Sequence, residues 1–192
     1  MIRRLYDWTL SLANSPYALW ALAFVAFIES SVFPIPPDLL MIPMIIATPR
    51  RAFLIAGVAT LASVLGGILG YAIGMFAMDT VGEPILAALG KAHAMEEFSV
   101  RFNDFGFWAV LIAGLTPFPY KVITIMSGAT GMPILTFIAT SILARALRFF
   151  IIATLLWKFG APIKDFIEKR LGLMFTLFCV VLVGGFFLVK YL

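Results

Sequence analysis

Five ionisable residues stand in stretches of this chain that are otherwise apolar: Glu29, Asp38, Lys121, Arg145 and Arg148. Glu29 follows twelve uncharged residues, Asp38 follows V-F-P-I-P-P, and Lys121 follows T-P-F-P-Y. The two arginines interrupt an apolar run from Pro133 to Trp157. A charge at the centre of a membrane helix costs roughly 2.5–3.5 kcal/mol, so charges retained there either pair with one another or serve a function. Pairing cannot account for all five, because three cations face two carboxylates. An anion should complete the set. Phosphate suits it, since guanidinium binds phosphate bidentately and lysine acts as a point charge. Arg145 and Arg148 are three apart and share a helix face. The expectation is that Lys121, Arg145 and Arg148 bind phosphate, while Glu29 and Asp38 exchange protons and couple them to transport.

Enzyme chemistry finds little support. A nucleophile with its base is missing from the apolar runs, so no catalytic residue is expected. The single histidine, His93, lies beside Glu96 and Glu97 in a polar stretch and reads as part of a solvated loop. The single cysteine, Cys179, forms neither a disulfide framework nor a thiolate metal site. No metal or cofactor is expected.

The elements that must position these charges follow from composition and from the lengths of the apolar runs. Of 192 residues, 62% are hydrophobic and only 12% charged, too few polar side chains to cover a water-facing surface. That excludes a soluble enzyme and a disordered chain. The net charge of +4 is scattered and forms no nucleic-acid patch. Residues 1–15 place Ile2, Leu5, Trp8 and Leu12 at helical spacing and read as an amphipathic helix in the membrane interface. Asp7 and the Asn14-Ser15-Pro16 break argue against a cleaved leader.

Residues 17–48 hold two short apolar runs around a tip containing Pro34, Pro36, Pro37 and Asp38. Twelve helical residues reach about 18 Å, short of a hydrocarbon core of about 30 Å. The segment therefore reads as a re-entrant helical hairpin, whose irregular tip is tolerated only against protein or a water-filled cavity. Residues 52–78 are long enough to cross. Within them Gly66, Gly70 and Gly74 line one face for close helix packing, within the chain or between copies in a homo-oligomer. A polar surface segment follows at 79–104. The pattern then repeats: a second hairpin at 105–132 with Pro117 and Pro119 at its tip, and a second span at 133–157. A pair of proline-interrupted segments in matching places of two halves points to a transporter's binding site. Residues 161–192 supply an amphipathic linker and a last span at 172–189. The fold class is thus an all-α membrane protein, with residues 16–160 as its transport core.

Charge distribution orients this arrangement. If each hairpin returns to its own side, eight basic residues (Arg3, Arg4, Arg50, Arg51, Lys158, Lys164, Lys169, Arg170) share one face, against Lys91, Arg101 and Lys190 on the other. The positive-inside bias then puts the N-terminus in the cytoplasm.

At the chemically interesting residues the sequence resembles the DedA family, the bacterial branch of the VTT-domain (SNARE-associated Golgi) membrane proteins. Glu29 with P-I-P-P-D resembles the family's first motif, and G-x-x-x-G-Y-x-x-G at Gly66 to Gly74 resembles its second. G-L-T-P-F-P-Y-K at Gly114 to Lys121 resembles the third, with Leu115 and Lys121 standing where the family usually has arginine. The resemblance spans about residues 20–160. It implies two hairpins meeting at mid-membrane in a bacterial inner-membrane protein. The implied function is flippase- or scramblase-like movement of undecaprenyl phosphate or a phospholipid between leaflets. Arg145 or Arg148 is expected to replace the arginine absent at Leu115. The alternative is a small-ion or proton-coupled transporter using the same charges.

Overall fold

The computed structural model describes residues 17–32, 36–90, 92–116 and 118–160, and every regular element among them is helical. The interfacial helix expected at 1–15, the tip residues Pro34 and Pro117, and the linker and span expected at 161–192 lie outside the described residues.

Two short helices open the described chain, α1 (Ala18–Ser31) and α2 (Asp38–Ala47). At 14 and 10 residues they reach about 21 and 15 Å. The proline cluster sets their limits, since Pro36 and Pro37 donate no backbone hydrogen bond and sit where a helix can start but not continue. The carbonyls of Pro36 and Pro37 accept from the amides of Leu39, Leu40 and Met41, which begins α2. After a 3₁₀ turn at Pro49–Arg51 comes α3 (Ala52–Ala77), 26 residues or about 39 Å, enough to cross a bilayer.

The helix does not end where the polar stretch begins. It passes through a π turn at Met78–Gly82 into α4 (Glu83–Ala88), so that 79–88 extends the long helix rather than forming a loop. Pro84 lies in the first turn of α4. The wider turn ahead of it accommodates a residue that lacks an amide to donate. Gly90, at φ +66°, ends the run. The amphipathic α5 (Ala92–Asp104) follows and carries Phe98 stacked near Phe102. His93, read as part of a loop, sits on this helix with an exposed side chain 3.7 Å from Glu96.

The succession then recurs with α6 (Gly106–Leu115), α7 (Tyr120–Ala129) and α8 (Ile134–Phe159), the last again 26 residues long. The short helices pack mainly on the long ones. α1 and α7 lie along α3, α6 lies along α8, α2 touches both long helices, and α3 packs against α8. Phe53 at the start of α3 stacks on Phe150 and Trp157 near the end of α8, while Tyr71 late in α3 meets Phe137 early in α8, so the two run antiparallel. Arg50, Arg51 and Lys158 therefore share one end, and Asp79 and Glu83 lie toward the other.

Close approach depends on glycine. A Cβ at Gly66 would strike the Phe27 carbonyl of α1, and one at Gly74 the Ile125 carbonyl of α7. At Gly70 it would strike the Thr124 hydroxyl, and at Gly128 the carbonyl of Tyr71 on α3. The α3 glycine stripe is thus covered within one chain, backbone against backbone.

Two apolar clusters form. One gathers Leu22, Met41, Ile45, Ile55 and Phe149; the other gathers Val110, Tyr120, Ile123 and Phe137. The exterior is also apolar: Leu135 is 78% exposed, whereas Arg145 on the same helix is 1% exposed. Charge inside and large apolar groups outside reverse the usual soluble pattern and fit a lipid surrounding. The glycine contacts lead to a direct expectation. Gly74→Ala should lower unfolding stability in detergent by about 1–3 kcal/mol through overpacking. Gly57→Ala, whose Cβ would meet nothing within 4 Å, should gain about 0.5–1 kcal/mol in the same thermal-unfolding measurement.

Candidate functional site

Ser63 and Arg145 are each the twelfth residue of a 26-residue helix, and they meet: Arg145 Nε donates to Ser63 Oγ at 2.5 Å. The contact lies about 17 Å along each helix, near half-depth. Arg145 Nη2 donates to Glu29 Oε2 at 2.9 Å, bringing in the last turn of α1. Ser30 Oγ lies 2.6 Å from Ser63 Oγ and donates to Glu29 Oε2 at 3.1 Å. Arginine has only donors, so Ser63 accepts from Arg145 and passes its own hydrogen to Ser30, which donates to Glu29. The ring of four groups closes on the carboxylate. The guanidinium is also held between two aromatic faces, 4.6 Å from the Tyr120 ring centroid and 4.7 Å from that of Phe149. Both distances lie within cation–π range.

One turn along α8 a second pair forms. Arg148 Nη2 donates to Asp38 Oδ2 at 2.7 Å, and Nη1 donates to the Thr116 carbonyl, also at 2.7 Å. This arginine ties the start of α2 to the end of α6. Lys121, at the start of α7, donates from Nζ to the Val32 carbonyl at 3.3 Å, tying the second tip to the end of α1. Thr124 Oγ1 adds a bond to the Ser30 carbonyl. The five charges read from the sequence thus gather where the tips meet. The two arginines take the two carboxylates, and Lys121 meets a backbone carbonyl instead. Pro36 and Pro119 flank the same region; Leu115, where the family pattern has arginine, is 38% exposed. Arg148 holds the backbone of the adjacent Thr116 and Arg145 lies over the Tyr120 ring, so both arginines of α8 reach the third-motif segment.

Sequence reading missed Ser30, Ser63, Thr116 and the rings of Tyr120 and Phe149. Small hydroxyls and aromatic residues recur throughout apolar helices, and nothing in their spacing separates these from the others. No group of three His, Cys, Asp or Glu side chains suited to a metal occurs among the described residues. A cavity of about 540 Å³ lies away from the ion pairs, between Met75, Asp79, Glu83, Glu96 and Thr130.

Removing one member of a buried ion pair strands the other. Arg145→Met should cost about 3–5 kcal/mol of unfolding stability, and Glu29→Gln added to it should restore part of that loss. Arg145→Lys should not substitute, because an ammonium cannot serve Ser63 and Glu29 and also stack between two rings. Thermal unfolding of the four proteins in one detergent, read as a double-mutant cycle, measures the coupling.

An uncharacterized protein of Haemophilus influenzae is 39% identical over 168 residues, covering 85% of this chain and 87% of the relative. An uncharacterized protein of Histophilus somni matches with the same identity and coverage. No solved structure matches. Residues 35–158 match the VTT domain, a stretch that contains both arginines, Asp38, Lys121 and the glycine face. The chain belongs to the VTT-domain family of membrane proteins.

Proposed function

We propose that this protein moves a phosphate-bearing lipid between the leaflets of the bacterial inner membrane. The observation that carries the reading is the charge inventory at mid-depth. Glu29 and Asp38 are taken by Arg145 and Arg148, and Lys121 is left with a neutral carbonyl. An anionic head group is the natural complement to that lysine. In this reading the α1–α2 and α6–α7 pairs are re-entrant hairpins whose tips leave a polar zone at half-depth. The head group crosses there while the tails stay in lipid. Lys121 takes the phosphate first. Arg148, whose side chain is 17% exposed against 2% for Arg145, supplies the second contact, and Arg145 anchors the first hairpin.

The carboxylates act as counter-ions that the head group displaces, and displaced carboxylates take up protons, which couples movement to a proton gradient. The end bearing Arg50, Arg51 and Lys158 faces the cytoplasm, following the positive-inside bias, and the N-terminus lies on that side.

Reconstitution into liposomes tests the proposal. With a fluorescent phosphate lipid, transfer should fall about tenfold or more in Lys121→Ala, in proportion to one lost charge-assisted hydrogen bond, and largely persist in Lys121→Arg. Ion flux without lipid movement would overturn it in favour of a small-ion transporter. Full transfer in both Arg145→Ala and Arg148→Ala would remove the arginines from the binding site. A separate measurement addresses coupling: transfer by Asp38→Asn and Glu29→Gln should no longer respond to an imposed pH gradient. An undiminished response in both would dissociate the carboxylates from coupling.

A further inference from the structure

Buried side-chain atoms without a hydrogen bond are few among the described residues: Asp38 Oδ1, Thr116 Oγ1, Arg148 Nε, Tyr120 Oη and Ser141 Oγ. Three of the five belong to one cluster, since Arg148 bonds Asp38 and the Thr116 backbone at 2.7 Å each. The Asp38–Arg148 pair is single-pronged. A guanidinium and a carboxylate usually close two parallel bonds, but here Nη2–Oδ2 is made while Nε and Oδ1 are both left over. Leaving such groups buried and unpaired is costly, so they specify the chemistry of what would satisfy them.

That specification is narrow. The Arg148 Nε–H requires an acceptor, Asp38 Oδ1 requires a donor, and the Thr116 hydroxyl serves either role. An ionised phosphate diester has no hydrogen to give Oδ1. An ammonium has no lone pair for Nε–H and would bring a second cation beside the guanidinium. A quaternary ammonium offers neither. An alcohol hydroxyl both accepts and donates. We infer that Asp38, Arg148 and Thr116 form a subsite for a head-group hydroxyl, so that the transported lipid carries an alcohol attached beyond its phosphate. The inference rests on the lipid-transfer reading and narrows its substrate class to hydroxylated head groups. The hydroxyl docks first, on the atoms that the Asp38–Arg148 bond leaves over, before the phosphate displaces the carboxylate.

The test compares lipids of equal charge. Phosphatidylglycerol and phosphatidylethanol are both anionic diesters, and only the first has a head-group hydroxyl. Phosphatidic acid has a hydroxyl only on the phosphate itself. Binding of each to the purified full chain in detergent, read by native mass spectrometry, should favour phosphatidylglycerol over phosphatidylethanol by roughly tenfold or more, the effect of one hydrogen bond to a charged group. Thr116→Val and Arg148→Lys, which remove the hydroxyl and Nε respectively, should each reduce that ratio toward one. Equal binding of the two diesters to the unmodified protein would overturn the inference and leave water as the occupant. Phosphatidic acid binding as tightly as phosphatidylglycerol would overturn it by assigning the hydroxyl to the phosphate. The two readings separate cleanly: a preference for phosphatidylglycerol without lipid movement in liposomes defeats transfer and keeps the subsite, while movement without preference does the reverse.

Discussion

Charge buried in an apolar bundle has to be answered by charge, and the rest of this fold is arranged around that requirement. Arg145 has almost no access to solvent, and two of its N–H groups donate to Glu29 and Ser63 while the rings of Tyr120 and Phe149 lie against the guanidinium. No single helix could supply those partners. The last turn of α1, the middle of α3 and the start of α7 must converge on one residue of α8. The glycine stripe of α3 is the geometric consequence, since α1 and α7 reach the middle of the molecule only by packing their backbones directly on it. Packing and electrostatics are therefore one design: close approach brings the charges together, and the charges tie the ends of α1, α2, α6 and α7 to one another and to the long helices.

Much of this is legible in the sequence because charges in apolar runs are conspicuous. Glu29, Asp38, Lys121, Arg145 and Arg148 identify themselves by being out of place, and the surplus of one cation follows from counting. Their pairing does not follow from counting, since Arg145 and Arg148 share a helix face and either could have met either carboxylate. Which pairs form is decided by where α1 ends and α2 begins against α8, a three-dimensional property. The helix that runs on through Met78–Gly82 was likewise hidden, because the apolar run stops at Met78 and the charges that follow read as a separate surface segment. Ser63 was the least visible of all: a serine in a 26-residue apolar helix has no neighbour in sequence to announce that it joins two halves of the molecule.

The two halves are alike in order but not in how they use their second short helix. α7 turns away from its own long helix and lies on α3, while α2 spreads over both long helices. Arg148, whose side chain bonds both the start of α2 and the end of α6, stands at that difference. The pair it makes is also the incomplete one. In a repeat architecture, the place where the copies diverge is where a site can gain selectivity while the common scaffold is retained.

The separation of the ion pairs along the chain has a consequence for how the protein is made. Glu29 lies 116 residues before Arg145, and Asp38 lies 110 before Arg148. At about 5–20 residues per second, Glu29 and Asp38 emerge from the ribosome roughly 6–23 s before Arg145 and Arg148 do. During that interval neither carboxylate has the guanidinium it pairs with in the folded chain. The two ion pairs therefore form only once α8 has been made, so this part of the core closes late in synthesis.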